Sequence, residues 1–310
     1  MAPPRMIRIW LPEPGWVEAM GGLPDGMAAD VWTGGEALPD SADQVEFVVL
    51  PFGVPESRLP VLAKLPRLQV IQLMSAGAER MIRHVPAGVT LCNARGAHDP
   101  AVAEWIMAVI LAELRHLPDF VMAQRAGLWR AVASKPLAGQ TVLIVGYGSI
   151  GEATERLLAP FGVHVERVAR HARPGVSGLD DLPALLPRAD IVILLVPVTP
   201  ATTRLADAGF LSLMRDHALL VNAARGSIVD TAALLAELNS GRLRAALDVT
   251  DPEPLPAGHP LWSAPNLLLT PHVAGASTDA IPRVQVIVAD RLARYAAGEP
   301  LANVVGTQGY

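Results

Sequence analysis

The chain has one cysteine, Cys92, in 310 residues, which excludes an intrachain disulfide and suits a reducing compartment. Cys92 lies in a short apolar run, residues 90–93, as a core strand residue would. Basic stretches are also missing. The 25 Lys and Arg are outweighed by 30 Asp and Glu, leaving a net charge of −5 with no cationic run, so nucleic acid is not an expected partner. Apolar runs are short: residues 191–198 fall far below a bilayer span, and no membrane association is expected. No leader pattern opens the sequence, so the expected location is cytoplasmic; no metal is expected. What is abundant is apolar side chain, 51% of residues, enough for two domains and a large core.

The most informative stretch is residues 140–151. Thr141–Val145 is a β-branched apolar run of the kind that forms a strand buried on both faces. Gly146, Gly148 and Gly151 follow in the spacing G-x-G-x-x-G, and residues 152–159 are helix formers with apolar positions at helical spacing. Strand, glycine turn and helix in that order form a dinucleotide-binding unit. Gly146 permits the turn, Gly148 lets backbone approach a pyrophosphate, and Gly151 lets helix and strand pack. The N–H groups at the helix start then meet the phosphates.

Residues 162–169 read as the next strand, whose end lies about 20 residues past the glycines, where an NAD site places Asp or Glu on the ribose. Here the strand ends in Ala169, then Arg170, with Arg173 close behind, and Glu166 comes too early. A small residue followed by Arg suits a 2′-phosphate, which guanidinium grips bidentately. NADP(H) is therefore the expected cofactor, with NAD(H) the weaker one, although a solvated basic loop has the same composition.

The first ~95 residues alternate strand candidates (6–10, 47–50, 70–74, 90–92) with helix candidates (55–65, 78–84), as in a small parallel α/β domain. Trp16, Met20 and Trp32, in the opening loops, are expected in or near its core. Residues 99–115 give the strongest helix signal, with Asp99 to cap and Pro100 at the first position. That helix is apolar almost all round, so it should be buried, between domains or at a subunit contact. Residues 123–130 read as a surface tail. Helices at 180–186, 207–214 and 231–240 then alternate with strands at 189–196, 218–223, 244–249 and 266–270, the rhythm of a doubly wound parallel sheet. Residues 278–297 form a long amphipathic helix expected to return to the first domain. The expected organisation is thus a discontinuous substrate domain, 1–97 with 279–310, around a dinucleotide-binding domain, 98–278.

Arg225, Glu253 and His272 each stand just after a predicted strand of the second half, so a doubly wound sheet turns all three toward one crevice. Reducing a 2-keto acid needs this set. Arg supplies a fixed cationic fork, His gives a proton as hydride arrives, and Glu holds the ring and favours its protonated form. Asp251 is the competing carboxylate.

With these residues in place, the chain resembles the D-2-hydroxyacid dehydrogenase family along almost its whole length. The glycine turn, the run 222–226 around Arg225, the stretch from Asp248 to Glu253 and Pro254, and the run 270–275 around His272 follow the family's order. The resemblance implies a Rossmann cofactor domain with a smaller flavodoxin-like α/β domain, in a homodimer. Arg225 would orient substrate, His272 would act as acid/base paired with Glu253, and Asp248 would hold the nicotinamide carboxamide. The cofactor cleft would also include Ser149, Ile150, Val196, Pro197, Ala223 and Gly275. Ser75, Ala76 and Gly77 are similar to the family's substrate loop, whose backbone N–H groups bind the carboxylate. Phe52 and Met74 would set side-chain size. Trp129 would reach a partner's site or pack at a dimer contact, and Arg95 and His98 have no assignment. The ending at Ala169 and Arg170 resembles the NADP-preferring hydroxypyruvate and glyoxylate reductases, so the expected substrate is a small 2-keto acid. The alternatives are phosphite or a bulkier 2-keto acid on the same fold, or a catalytically silent dinucleotide sensor like the corepressors. Formate enzymes carry Gln–His in place of Glu–His.

Overall fold

The computed structural model describes residues 6–306; residues 1–5 and 307–310, the ends of the expected substrate domain, lie outside the described residues. The chain divides into two compact units, one of residues up to 98 with those from 278 on, the other of residues 99–277.

In the first unit β1 (Ile7–Leu11), β2 (Met27–Val31), β3 (Val45–Leu50), β4 (Val70–Leu73) and β5 (Thr90–Cys92) form a parallel sheet in the order β2-β1-β3-β4-β5. This is the flavodoxin-like order. Every residue of β3 and β4 is buried, as expected for central strands covered on both faces. One face packs Trp10, Trp32, Leu59, Leu62 and Met81. The other is covered by α9 (Ala280–Ala297), whose Val284, Val288 and Leu292 cluster with Ile9, Phe47 and Cys92. The late helix therefore completes the early sheet. Burial pushes the Cys92 thiol up to about 11, so it is a packing residue and not a thiolate.

Two local features differ from expectation. β2 sits where the sequence suggests loop, because its Met-Ala-Ala-Asp-Val composition lacks a β-branched run; it is an edge strand registered on β1. Residues 55–65, expected as a helix, run as a 3₁₀ segment, Glu56–Lys64, with Pro60 inside it. Proline has no N–H to complete an α-helical ladder. The short helices α1 (Trp16–Ala19) and α2 (Glu79–Ile82) complete the unit.

The second unit runs α3 (Asp99–Leu114), α4 (Leu117–Arg125), β6 (Thr141–Val145), α5 (Ser149–Leu158), β7 (His164–Val168), α6 (Leu182–Leu185), β8 (Ile191–Leu194), α7 (Ala208–Leu213), β9 (Leu219–Asn222), α8 (Thr231–Asn239), β10 (Arg244–Leu247) and β11 (Leu267–Leu269). Its parallel sheet has the order β11-β10-β9-β8-β6-β7. The apolar character of α3 is accounted for within this unit: Ile106 and Ile110 pack with Val142, Ile144, Ile193 and Val221. Each such side chain contributes about 1.5–3 kcal/mol on burial. α4 occupies part of what reads as a surface tail. It buries none of its residues, leaving Leu117, Val121 and Met122 exposed.

The register places the site. Val168, Val145, Leu194, Asn222, Leu247 and Leu269 pair in sequence across all six strands, so they share one rung of the sheet. Gly146, Ala169, Leu195, Ala223, Asp248 and Thr270 each come next in the chain. All six loops therefore leave the carboxyl edge at one height.

Candidate active site

Between β6 and α5 the glycine turn has the geometry its spacing predicts. Gly146 has φ +108°, and a Cβ there would lie 2.5 Å from the Leu195 carbonyl carbon, so only glycine lets the turn pass the β8 loop. The Gly146 and Tyr147 N–H groups both donate to Val168 O, at 2.8 and 2.9 Å, fixing the turn to the end of β7. No side chain caps α5, so the positive end of its dipole is left for an anion. Ser149, Ile150 and Gly151 form its first turn.

A brace behind this turn is not legible from the motif. The Tyr147 hydroxyl donates to Glu155 Oε2 at 2.5 Å, and Arg167 on β7 forks onto the same carboxylate. The Arg167 hydrogen bonds hold Glu155 below the usual carboxylate range despite partial burial, and burial together with Glu155 raises the Tyr147 phenol. Past β7, Arg173 Nη2 donates to Tyr147 O at 2.9 Å, and its guanidinium lies 5.8 Å from the Tyr147 ring. Arg170 is exposed directly after Ala169. Glu166 lies inside β7, 3.6 Å from Arg188.

On the same edge, β9 ends in Asn222, which is buried. Its side chain accepts from Ala224 N at 3.1 Å and donates to Arg225 O at 2.9 Å, shaping the turn that presents Arg225. Gly226 follows, and a Cβ there would lie 1.9 Å from Thr250 O; this turn packs backbone to backbone against the loop that leads to Glu253. Asp248, also buried, accepts from Thr270 Oγ1 at 2.6 Å and from the N–H groups of Val273 and Ala274, each at 2.8 Å. It thus staples the β10 loop to the β11 loop. His272 stands at φ +54°, costly for a non-glycine residue by about 1–3 kcal/mol, and its N–H donates to Asp248 O at 2.7 Å. In that conformation His272 Nδ1 lies 2.5 Å from Glu253 Oε1, while both side chains stay substantially exposed. Asp251, the competing carboxylate, is not the partner.

Of the remaining expected residues in this unit, Val196 and Pro197 follow β8, Ala223 follows β9, and Gly275 lies in the turn past His272. Trp129 is fully exposed in the second unit.

In the first unit, Ser75, Ala76 and Gly77 form a bend after β4. Ser75 Oγ donates to Gly77 O at 2.8 Å, Ala94 N to Ser75 O at 2.9 Å, and Asn93 Nδ2 to Ala76 O at 2.7 Å. His98, unassigned from the sequence, donates through Nε2 to Met74 O at 3.0 Å and meets Phe52 edge-on at 6.3 Å. Arg95 N donates to Asn93 Oδ1 at 3.1 Å. A cavity of about 170 Å³ opens beside the bend, lined by Phe52, Met74, Ser75 and Gly77 among others. Asn93 carries no motif signal, since its part depends on two segments meeting.

A doubly wound sheet with an uncapped glycine turn, and an imidazole–carboxylate pair on the same edge, define a nicotinamide-dinucleotide oxidoreductase. Residues 107–274 match the family model described as D-isomer specific 2-hydroxyacid dehydrogenase, NAD binding domain. The chain belongs to the D-isomer specific 2-hydroxyacid dehydrogenase family. It is 34% identical over 256 residues to a glyoxylate reductase of Thermofilum pendens, covering 77% of this chain and 75% of that one. To a D-3-phosphoglycerate dehydrogenase of Methanocaldococcus jannaschii it is 30% identical over 97% of its own length, but it spans only 59% of that relative. Among solved structures, a D-isomer specific 2-hydroxyacid dehydrogenase from Xanthobacter autotrophicus Py2, in complex with NADPH and MES, superposes with a TM-score of 0.84 at 29% identity, covering 98% of this chain and 99% of that one.

Proposed function

We propose that the chain reduces small 2-keto acids of the hydroxypyruvate and glyoxylate type to D-2-hydroxy acids, with NADPH as the preferred reductant. The observation that carries this reading is the 2.5 Å contact between His272 Nδ1 and the Glu253 carboxylate on the carboxyl edge of the sheet. A carboxylate there accepts, so Nδ1 carries a proton and Nε2 is the nitrogen left to serve a substrate oxygen. A bound reduced nicotinamide supplies the hydride. As the ketone oxygen gains charge, Nε2–H gives its proton to it, while Glu253 holds the ring in place through Nδ1. Arg225 orients the acid with its planar fork. The Ala76 and Gly77 N–H groups receive the carboxylate, and Phe52 and Met74 bound the tail.

The chain's own residues fit the cofactor: the Gly146 position has no room for a Cβ, and α5 is uncapped. Gly146, Gly148, Ser149, Ile150 and Gly151 hold the pyrophosphate, Asp248 the carboxamide, and Val196, Pro197, Ala223 and Gly275 line the rest. Arg170 and Arg173 grip the 2′-phosphate, a reading supported by Arg173 packing on the glycine turn and by NADPH in the Xanthobacter neighbour. The first unit serves as substrate domain and the second as cofactor domain. The working form is a cytoplasmic homodimer, with exposed α4 and Trp129 turned to the second copy.

The test is loss of NADPH absorbance with a panel of 2-keto acids. The pair Arg170→Ala with Arg173→Ala should raise KM for NADPH by about tenfold or more, as lost charge-assisted bonds do, and NADH far less. Equal effects on both cofactors would remove these arginines from the phosphate site.

A further inference from the structure

The cavity of about 170 Å³ in the first unit has walls that are mostly apolar, and among the described residues only one charged side chain lines it: Arg80, in α2. Arg80 is not committed to a carboxylate. Its Nη2 donates to the Val54 carbonyl, a neutral acceptor on the same cavity wall, and it has no acidic partner among the described residues. Its neighbours differ: Arg58 is paired with Glu36, and Arg83 with Glu56. A guanidinium has five N–H donors in a fixed fork, so one bond to Val54 leaves a face able to hold an anion bidentately. The cavity is well below the roughly 300–1,000 Å³ of sites for drug-sized ligands, so it suits a short acid. Arg80 is itself exposed, so its guanidinium is within reach of a ligand entering from solvent.

We propose that Arg80 is a specificity residue, selecting 2-keto acids whose tail ends in a second anionic group, a carboxylate or a phosphate. The Ser75–Gly77 bend takes the carboxylate next to the ketone and Arg80 takes the far end, so the inference rests on the assignment of that bend given above. It narrows the substrate class: within small 2-keto acids, one with a second anionic group is preferred over glyoxylate.

The test compares kcat/KM with NADPH for glyoxylate, which has no tail, oxaloacetate, with a carboxylate tail, and 3-phosphohydroxypyruvate, with a phosphate tail. The unsubstituted protein should favour one of the two acids with an anionic tail, and which one identifies the anion. Arg80→Gln keeps a donor for the Val54 carbonyl but removes the charge. It should lower the ratio of the anionic-tailed acid to glyoxylate by about 10- to 100-fold, the range of a lost hydrogen bond to a charged group. Arg80→Lys should retain much of the ratio. Glyoxylate turned over by the unsubstituted protein at least as well as both anionic-tailed acids would overturn the inference without recourse to any variant. So would an Arg80→Gln effect equal on all three acids, which would make Arg80 a brace for Val54 alone. Absence of turnover on every acid, with NADPH still bound, would instead bring down the proposed reaction itself, and this inference with it.

Discussion

Asp190 and Asp248 are aspartates at opposite edges of one sheet, the first directly before β8, the second directly after β10, with β9 between those two strands. Asp190 accepts from Lys135 Nζ at 2.8 Å, Arg215 Nη1 at 2.9 Å and Thr141 N at 2.9 Å. Burial alone would raise its pKa, but these donors and the two cations hold it below the usual carboxylate range. Asp248 has no cation among its hydrogen-bond donors within this unit; a hydroxyl and two backbone N–H groups hold it. The amino edge thus pairs opposite charges, including Arg242 with Glu237, even though it borders a larger cavity of about 460 Å³. Around Asp248 the carboxyl edge instead fixes loop shape with a hydroxyl and backbone N–H donors, next to the proposed catalytic pair, Glu253 and His272. Cavity size alone would point to the edge opposite the proposed site.

That contrast predicts that substitutions at the carboxyl edge change turnover and those at the amino edge change stability. The largest effect belongs to His272→Ala, which should lower kcat by about 10²–10⁴-fold with the melting temperature nearly unchanged. Unaltered turnover would end the proton-donor role. Next comes Gly226→Ala. The new Cβ must displace the Thr250 backbone, and a shift of that kind beside Glu253 should cost about 10²-fold in kcat. A variant of normal activity would show that the two loops are not coupled through this contact.

The smallest effect lies at the amino edge. Burial pushes Glu113 up to about 7 from an ordinary 4.5, with the Arg244 charge opposing and Asp119 adding to the rise. The folded chain therefore keeps the Glu113 proton up to about pH 7, whereas the unfolded chain releases it near 4.5. Stability falls as pH rises through that window, by about 3 kcal/mol at most. Glu113→Gln should flatten this part of the pH–stability curve, measured by urea denaturation at pH 5 and pH 8, and leave kcat unchanged. An identical slope in the variant would locate the titration elsewhere.

Much of this arrangement is legible in the chain because its key residues follow strands that announce themselves. Thr141–Val145 and Ile191–Leu194 are apolar runs, and the groups that matter lie within a few residues of their ends or of their neighbours'. What stays hidden depends on meetings between distant segments. Asn222 is visible as part of a motif, but its grip on the Arg225 turn is not. The staple from Asp248 to residues 270–274 spans more than twenty positions, and the left-handed backbone of His272 has no glycine to mark it. β2 escapes notice because its alanines carry little strand preference, and α4 because it buries nothing.

The shared rung has a consequence for any attempt to change this scaffold. Because the six loops start level, one extra residue inside a strand would raise its loop by about 3.3 Å and reverse which side chains point up or down. A single insertion upstream of Asn222, Leu247 or Leu269 therefore puts every group on that strand out of step with the rest, including the contacts that tie the loops past these points to one another.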